Sequence, residues 1–148
     1  RRRRINPRSR SREAVLMDNL VLSFHAKVEH GCLVVRDLQS GDDVSDWDPS
    51  SENWYKSGSS IIFAVLPESE GWVDCEVWKA PPVSLLPVSL FIEEMSNESG
   101  RLVLHDPNER VRMQLRGVRG RVRISALVDD RDFASKVQLI VEATPPAN

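Results

Sequence analysis

The sequence is poor in the residues that usually carry chemistry. Two cysteines in 148 residues, Cys32 and Cys75, exclude a disulfide-stapled scaffold and a paired-cysteine metal motif. Both fall in apolar strand-like runs, where a reduced thiol acts as a small core residue. A bridge between them across a sandwich is the alternative, although nothing else in the sequence speaks for an oxidising compartment. There are only three histidines, His25, His30 and His105. They lack the convergent spacing of a zinc site, and no nucleophile is arranged for a hydrolytic triad. His25, within a strand pattern, reads as a packed or hydrogen-bonded residue. No glycine-rich phosphate loop is present. No apolar run approaches the roughly 20 residues of a membrane helix, and no basic segment is followed by an apolar signal core. These absences lead to the expectation of a soluble cytoplasmic protein that is not an enzyme and needs no cofactor or metal.

What is present is an ordinary globular composition, 41% apolar and 28% charged, in a chain long enough for one domain with a real core. The net charge of -2 hides a strong asymmetry. Residues 1–16 hold seven arginines and one glutamate, whereas residues 17–98 hold 4 basic and 15 acidic side chains. From residue 99 to 131 the sign reverses, with 8 basic and 4 acidic residues. Such a distribution bears on partners and association rates rather than on fold.

The arginine-rich segment 1–16 has too little apolar surface to fold alone and is expected to be disordered. It reads as a nucleic-acid arm, a targeting segment, a capsid-type basic arm, or leader sequence ahead of a natural start at Met17. Residues 17–144 are expected to form a single domain, with residues 145–148 disordered.

From Leu20 the pattern is strand after strand. Leu20, Leu22 and Phe24 alternate with Val21, Ser23 and His25, and Cys32 to Val35 form a second apolar run. Ile61 to Leu66 form an unbroken apolar run ended by Pro67 to Gly71, and Trp72 to Trp78 return with Val73, Cys75 and Val77 on one face and Asp74 and Glu76 on the other. These two runs are expected to pair as a central hairpin. Further strands are read at Val88 to Glu93, Leu102 to Leu104, Val111 to Leu115, Arg121 to Val128 and Val137 to Val141. Pro87 places the run that follows it at a sheet edge. Eight or nine short strands with regular turns predict an all-β antiparallel β-sandwich. Residues 39–59 form one long loop, in which Asp48 as a cap and Pro49 at the first helical position predict a short helix from Pro49 to Lys56.

That loop also carries the candidate site. Asp42, Asp43, Asp46, Asp48 and Glu52 surround Trp47, Trp54 and Tyr55, and aromatic anchors beside charges are what protein interfaces favour. The competing readings are a calcium loop, whose spacing does not match the EF-hand, and aromatics that fold back to plug the sandwich. Asp74 and Glu76 are expected to extend the acidic surface onto the sheet. A second charged feature, Arg110, Arg112, Arg116, Arg119, Arg121 and Arg123, is read as one basic patch on adjacent strands. It would serve nucleic acid or an intramolecular match to the acidic half.

Several short motifs resemble the competence protein J family, small bacterial β proteins of which the founding member inhibits a nuclease of DNA uptake. Leu22-Ser23-Phe24-His25 is similar to that family's opening strand. Trp47 in an acidic loop, followed by the run from Ser60 to Leu66 and its return strand, is similar in order and spacing to the family's tryptophan loop and central strands. Leu102 to Leu104, then Val111 to Leu115 followed by Gly120 and Val122, resemble its closing pattern. The resemblance implies a β-sandwich that acts stoichiometrically, as an immunity-type protein covering a nuclease or toxin. The alternative is a sandwich that binds nucleic acid through the basic arm and the arginine strands.

Overall fold

A computed structural model describes residues 19–145; the expectation for 1–16 lies outside the described residues, as does that for 145–148 apart from residue 145. The described residues form ten strands and one turn of 3-10 helix: β1 (Leu20–Ala26), the turn Glu29–Gly31, β2 (Cys32–Asp37), β3 (Trp54–Ser57), β4 (Ser60–Ala64), β5 (Val73–Trp78), β6 (Val88–Asn97), β7 (Arg101–His105), β8 (Arg112–Arg116), β9 (Gly120–Val128) and β10 (Lys136–Ala143). They make two five-stranded sheets, β1-β5-β10-β9-β6 and β3-β4-β2-β7-β8. The expected all-β sandwich is therefore the fold, with one strand more than was read. All pairings are antiparallel except that of β10 with β5. Among the described residues, no helix is long and apolar enough to cross a membrane.

The period of two decides which side chains fill the interior. Val73, Cys75 and Val77 from β5, Val122 to Val128 at alternate positions in β9, and Val137, Leu139 and Val141 from β10 face Leu33, Val35, Ile61, Phe63, Leu102 and Leu104 of the second sheet. Phe63 meets Phe91 edge to face at 5.7 Å between ring centroids, a favoured aromatic geometry.

Two expectations are corrected. The runs around Ile62 and Cys75 do not form a hairpin, because β4 lies in the second sheet and β5 in the first. The segment between them crosses from one layer to the other, held by the Leu66 N–H on the Ala134 carbonyl at 2.9 Å and the Glu68 N–H on the Val28 carbonyl at 3.0 Å. The hairpin that does form is β3–β4, turned by Gly58 and Ser59. The helix from Pro49 to Lys56 is also absent. Asp48 does cap one turn, accepting from the Ser50 N–H at 3.0 Å through its side chain and from the Glu52 N–H at 3.0 Å through its carbonyl. Trp54 and Tyr55 then pair with Phe63 and Ile62 instead of continuing it. One turn is too short to be stable alone, and a strand partner for two aromatics outweighs it.

The connection from β5 to β6 crosses the outer face of the first sheet. Pro81 and Pro82 cannot pair, and the Gln138 side chain pins the crossing segment, accepting from the Leu86 N–H at 2.9 Å and donating to the Ser84 carbonyl at 3.0 Å. This carries the chain past β10 and β9 to the far edge, where Pro87 precedes β6 as expected.

Both cysteines are free and buried. Cys75 faces the central core and Cys32 the outside of the second sheet, so the geometry keeps them apart. Burial pushes the Cys32 thiol up to about 11, with Asp106 adding to the effect, and pushes that of Cys75 higher still. Neither thiol is expected to react with a disulfide reagent at pH 8 in the native protein, and both should react once urea unfolds it. Rapid modification before unfolding would contradict this burial.

Candidate partner-binding surfaces

Residues 38–53 leave the end of β2 and run over the outer face of the second sheet to the start of β3. On that face Cys32, Val34 and Ile62 are covered by Val44 and Trp47 of the loop and by Tyr55 of β3. Trp47 also donates from its indole N–H to the Glu52 carbonyl at 2.9 Å, closing the loop on itself. At the other end Asp42 accepts from the Ser59 N–H at 2.7 Å and from the Ser40 hydroxyl. The Asp42 carboxylate lies against Gly58, whose φ is +56° and where a Cβ would come within 2.5 Å of Asp42 Oδ1. Glycine is required there both for the turn and for the latch.

The aromatics therefore face the sheet and the carboxylates face solvent: Asp42, Asp43, Asp46, Asp48 and Glu52 are all exposed. Hydrogen bonds from Ser40 and the Ser59 amide hold Asp42 below its ordinary value, those from Ser45 do so for Asp43, and those from Ser50 and Ser51 for Asp48. Their negative charge is thus fixed in place well below neutral pH. Among the described residues no group of three or more His, Cys, Asp or Glu side chains is placed to hold a metal ion, and the loop acids are spread along the sheet rather than convergent. Trp47→Ala is expected to cost roughly 2 kcal/mol, less than the ~3–5 kcal/mol of a fully buried tryptophan, because its site is only half-buried. Urea titration reads that loss, and limited proteolysis should show earlier cleavage within 38–53. An unchanged midpoint would mean that Trp47 does not anchor the loop.

Trp54 departs from the other two aromatics. Its ring points between the sheets and tilts against Phe91 at 5.3 Å, as part of the main core. Asp74 and Glu76 are separated from the loop altogether, since they lie on the outer face of the first sheet, across the sandwich. There they line an open groove of about 540 Å³ with Ser23, His25, Lys136 and Gln138. His25 Nδ1 is hydrogen-bonded to Asp74, and its ring stacks on Trp72 at 4.6 Å with 6° between planes. Lys27 Nζ stands 5.4 Å from the Trp72 centroid. Lys27 and Lys136 offset Asp74 and Glu76, so this face lacks the unbroken negative sign of the loop. Trp72, 51% exposed, was missed as a surface feature, although its parity with Asp74 and Glu76 places it on their face.

The arginines do not form one patch. Arg121 and Arg123 lie on β9 in the first sheet, where both bind Glu94 of β6 at 3.3 and 3.1 Å. Arg112 belongs to β8 in the second sheet and lies 3.7 Å from Glu109, while Arg110 meets Glu29 at 3.1 Å. Strands 8 and 9 are consecutive but belong to different layers. The expected shared face is lost for that reason, and much of the positive charge is matched within the molecule.

No family model matches the chain, and no curated protein does either. Among solved structures, the arrangement of strands is similar to that of ComJ from Bacillus subtilis, described as an inhibitor of the DNA degrading activity of NucA. The TM-score is 0.61 at 8% identity, over 84% of this chain and 97% of that one. It is also similar to the product of crocagin biosynthetic gene J, with a TM-score of 0.52 at 14% identity over 83% of this chain and 96% of that one. The protein thus has a ComJ-like fold, as the sequence motifs implied.

Proposed function

We propose that this protein is a non-catalytic, stoichiometric inhibitor of the immunity type, acting in the bacterial cytoplasm by covering the cationic substrate cleft of a nuclease or toxin. One observation carries the reading: residues 38–53 hold five carboxylates and no lysine or arginine, and the loop is fastened to a sheet with all five acidic residues exposed. A fixed anionic surface imitates the charge of a nucleic-acid backbone and steers association with a basic cleft. Because the loop is ordered before binding, little conformational entropy is lost on association. The ComJ-like fold supports the reading, since ComJ is described as inhibiting a DNA-degrading activity.

The test is to mix the purified protein with the nuclease encoded beside its gene and follow complex formation by size-exclusion chromatography and DNA cleavage by gel. A one-to-one complex with cleavage abolished at equivalence is expected. Absence of both complex and inhibition, with the inhibitor in excess, would overturn the assignment.

A further inference from the structure

The proposed inhibitory role leaves one end of the sandwich unused, the end where β2, β5, β8 and β10 finish. Between the sheets there, Val77 and Val141 on one side and Leu102 and Leu115 on the other enclose an apolar cavity of about 230 Å³, with Val118 at its mouth. That exceeds the ~150 Å³ that suffices to take up a benzene ring. Asn97, fully buried in its wall, gives its amide N–H to the Val118 carbonyl while its Oδ1 finds no partner. No carboxylate lines the cavity, and Lys79 and Arg116 stand at its rim.

Lys79 and Arg116 are not the only positive charges at this end of the sandwich. Arg101 of β7 lies directly opposite Arg116 of β8 in the antiparallel register. Like charges in that relation destabilise a sheet. Arg119 packs over the turn between β6 and β7, its Nε within 3.4 Å of where a Gly100 Cβ would stand. Among the described residues none of Lys79, Arg101, Arg116 and Arg119 enters an ion pair, whereas Arg110, Arg112, Arg121 and Arg123 all do. Lys79 and Arg116, without an ion pair among the described residues and beside an apolar opening, have the layout of an anion site.

We propose that this end of the sandwich binds an amphipathic anion, with an apolar body of about six to eight carbons seated between Leu102, Leu115 and Val141 and a carboxylate held by Lys79 and Arg116. A free medium-chain acid and the C-terminal leucine of a peptide both carry that chemistry. Octanoate and acetyl-glycyl-leucine are the two probes, read by thermal shift and by the amide resonances of Asn97, Arg116 and Val118. Stabilisation by octanoate assigns the site to free acids, and stabilisation by the peptide alone assigns it to chain termini. Octanol and inorganic phosphate, each lacking half of the chemistry, should stabilise at least about tenfold less well at equal concentration. Arg116→Glu separates binding from folding. Relieving the repulsion with Arg101 should raise the Tm of the free protein by about 2 °C, while octanoate loses at least about tenfold in affinity. The proposal is overturned if neither probe binds, if octanol or phosphate stabilises as well as the probe that binds, or if Arg116→Glu binds that probe as the parent does.

Discussion

Neutralising Asp43, Asp46 and Asp48 together with asparagine is expected to slow association with a cationic partner by about 10- to 100-fold at low ionic strength, with little change in dissociation. Asparagine is the informative replacement because the loop uses these side chains locally. Asp43 accepts from the Ser45 N–H and Asp48 from the Ser50 N–H, and an amide oxygen can accept both bonds. The turns survive and the charge disappears. The rate should also lose most of its dependence on salt, since exposed charges act over roughly a Debye length of 10 Å and are screened beyond it. Asp74→Asn with Glu76→Gln, on the opposite face, provides the control and should change the rate far less. Stopped-flow measurement at several salt concentrations decides between the two surfaces. An unchanged rate in the triple variant would remove the loop from the interface, and a loss confined to the control would transfer the role to the groove beside Trp72.

The second large effect is on stability. Asp37, at the end of β2 and 6% exposed, accepts from the Gln39 N–H at 3.2 Å, the Glu98 N–H at 3.1 Å and the Ser99 hydroxyl. One carboxylate thereby ties the start of the acidic loop to the turn between β6 and β7, and so joins the two sheets. Asp37→Ala would leave two backbone donors without partners at a buried position, while the Ser99 hydroxyl would keep its other acceptor, the Arg101 carbonyl at 3.0 Å. At roughly 1–3 kcal/mol for each stranded group, partly offset by relaxation, the loss should be about 3–4 kcal/mol. That is a large fraction of the ~5–15 kcal/mol that holds a domain of this size folded. Asp37→Asn, which retains one acceptor oxygen, should recover about half of the loss. Urea unfolding of both variants measures it. A loss below about 1 kcal/mol for the alanine variant would show that this carboxylate does not fasten the sheets.

Much of the fold was legible because alternation is a local property. Val73, Cys75 and Val77 announce an inward face without reference to any partner, and the same holds for Val122, Ile124, Ala126 and Val128. Pairing was not legible. Whether the run around Ile62 pairs with its successor or passes to the other layer depends on backbone bonds to Val28 and Ala134, far away in the chain. The same gap separated Arg112 from Arg121 and Arg123. In the loop, the cap at Asp48 was readable from type and position, but β3 was not, because a four-residue strand is selected by its partner β4. Among the candidate site residues, the five loop acids and Trp47 lie together as their sequence proximity suggested, whereas Asp74 and Glu76, placed with them on charge alone, lie across the sandwich.

The parallel pairing of β10 constrains how the protein can be made. It lies between β5 and β9, so neither half of the first sheet can close until β10 has left the ribosome. During synthesis β5 and β9 each present an open edge, and the apolar face meant for the core stays uncovered. Closure of the first sheet therefore waits for β10, and a nascent chain stalled anywhere before Lys136 keeps that core face open and is a substrate for chaperones.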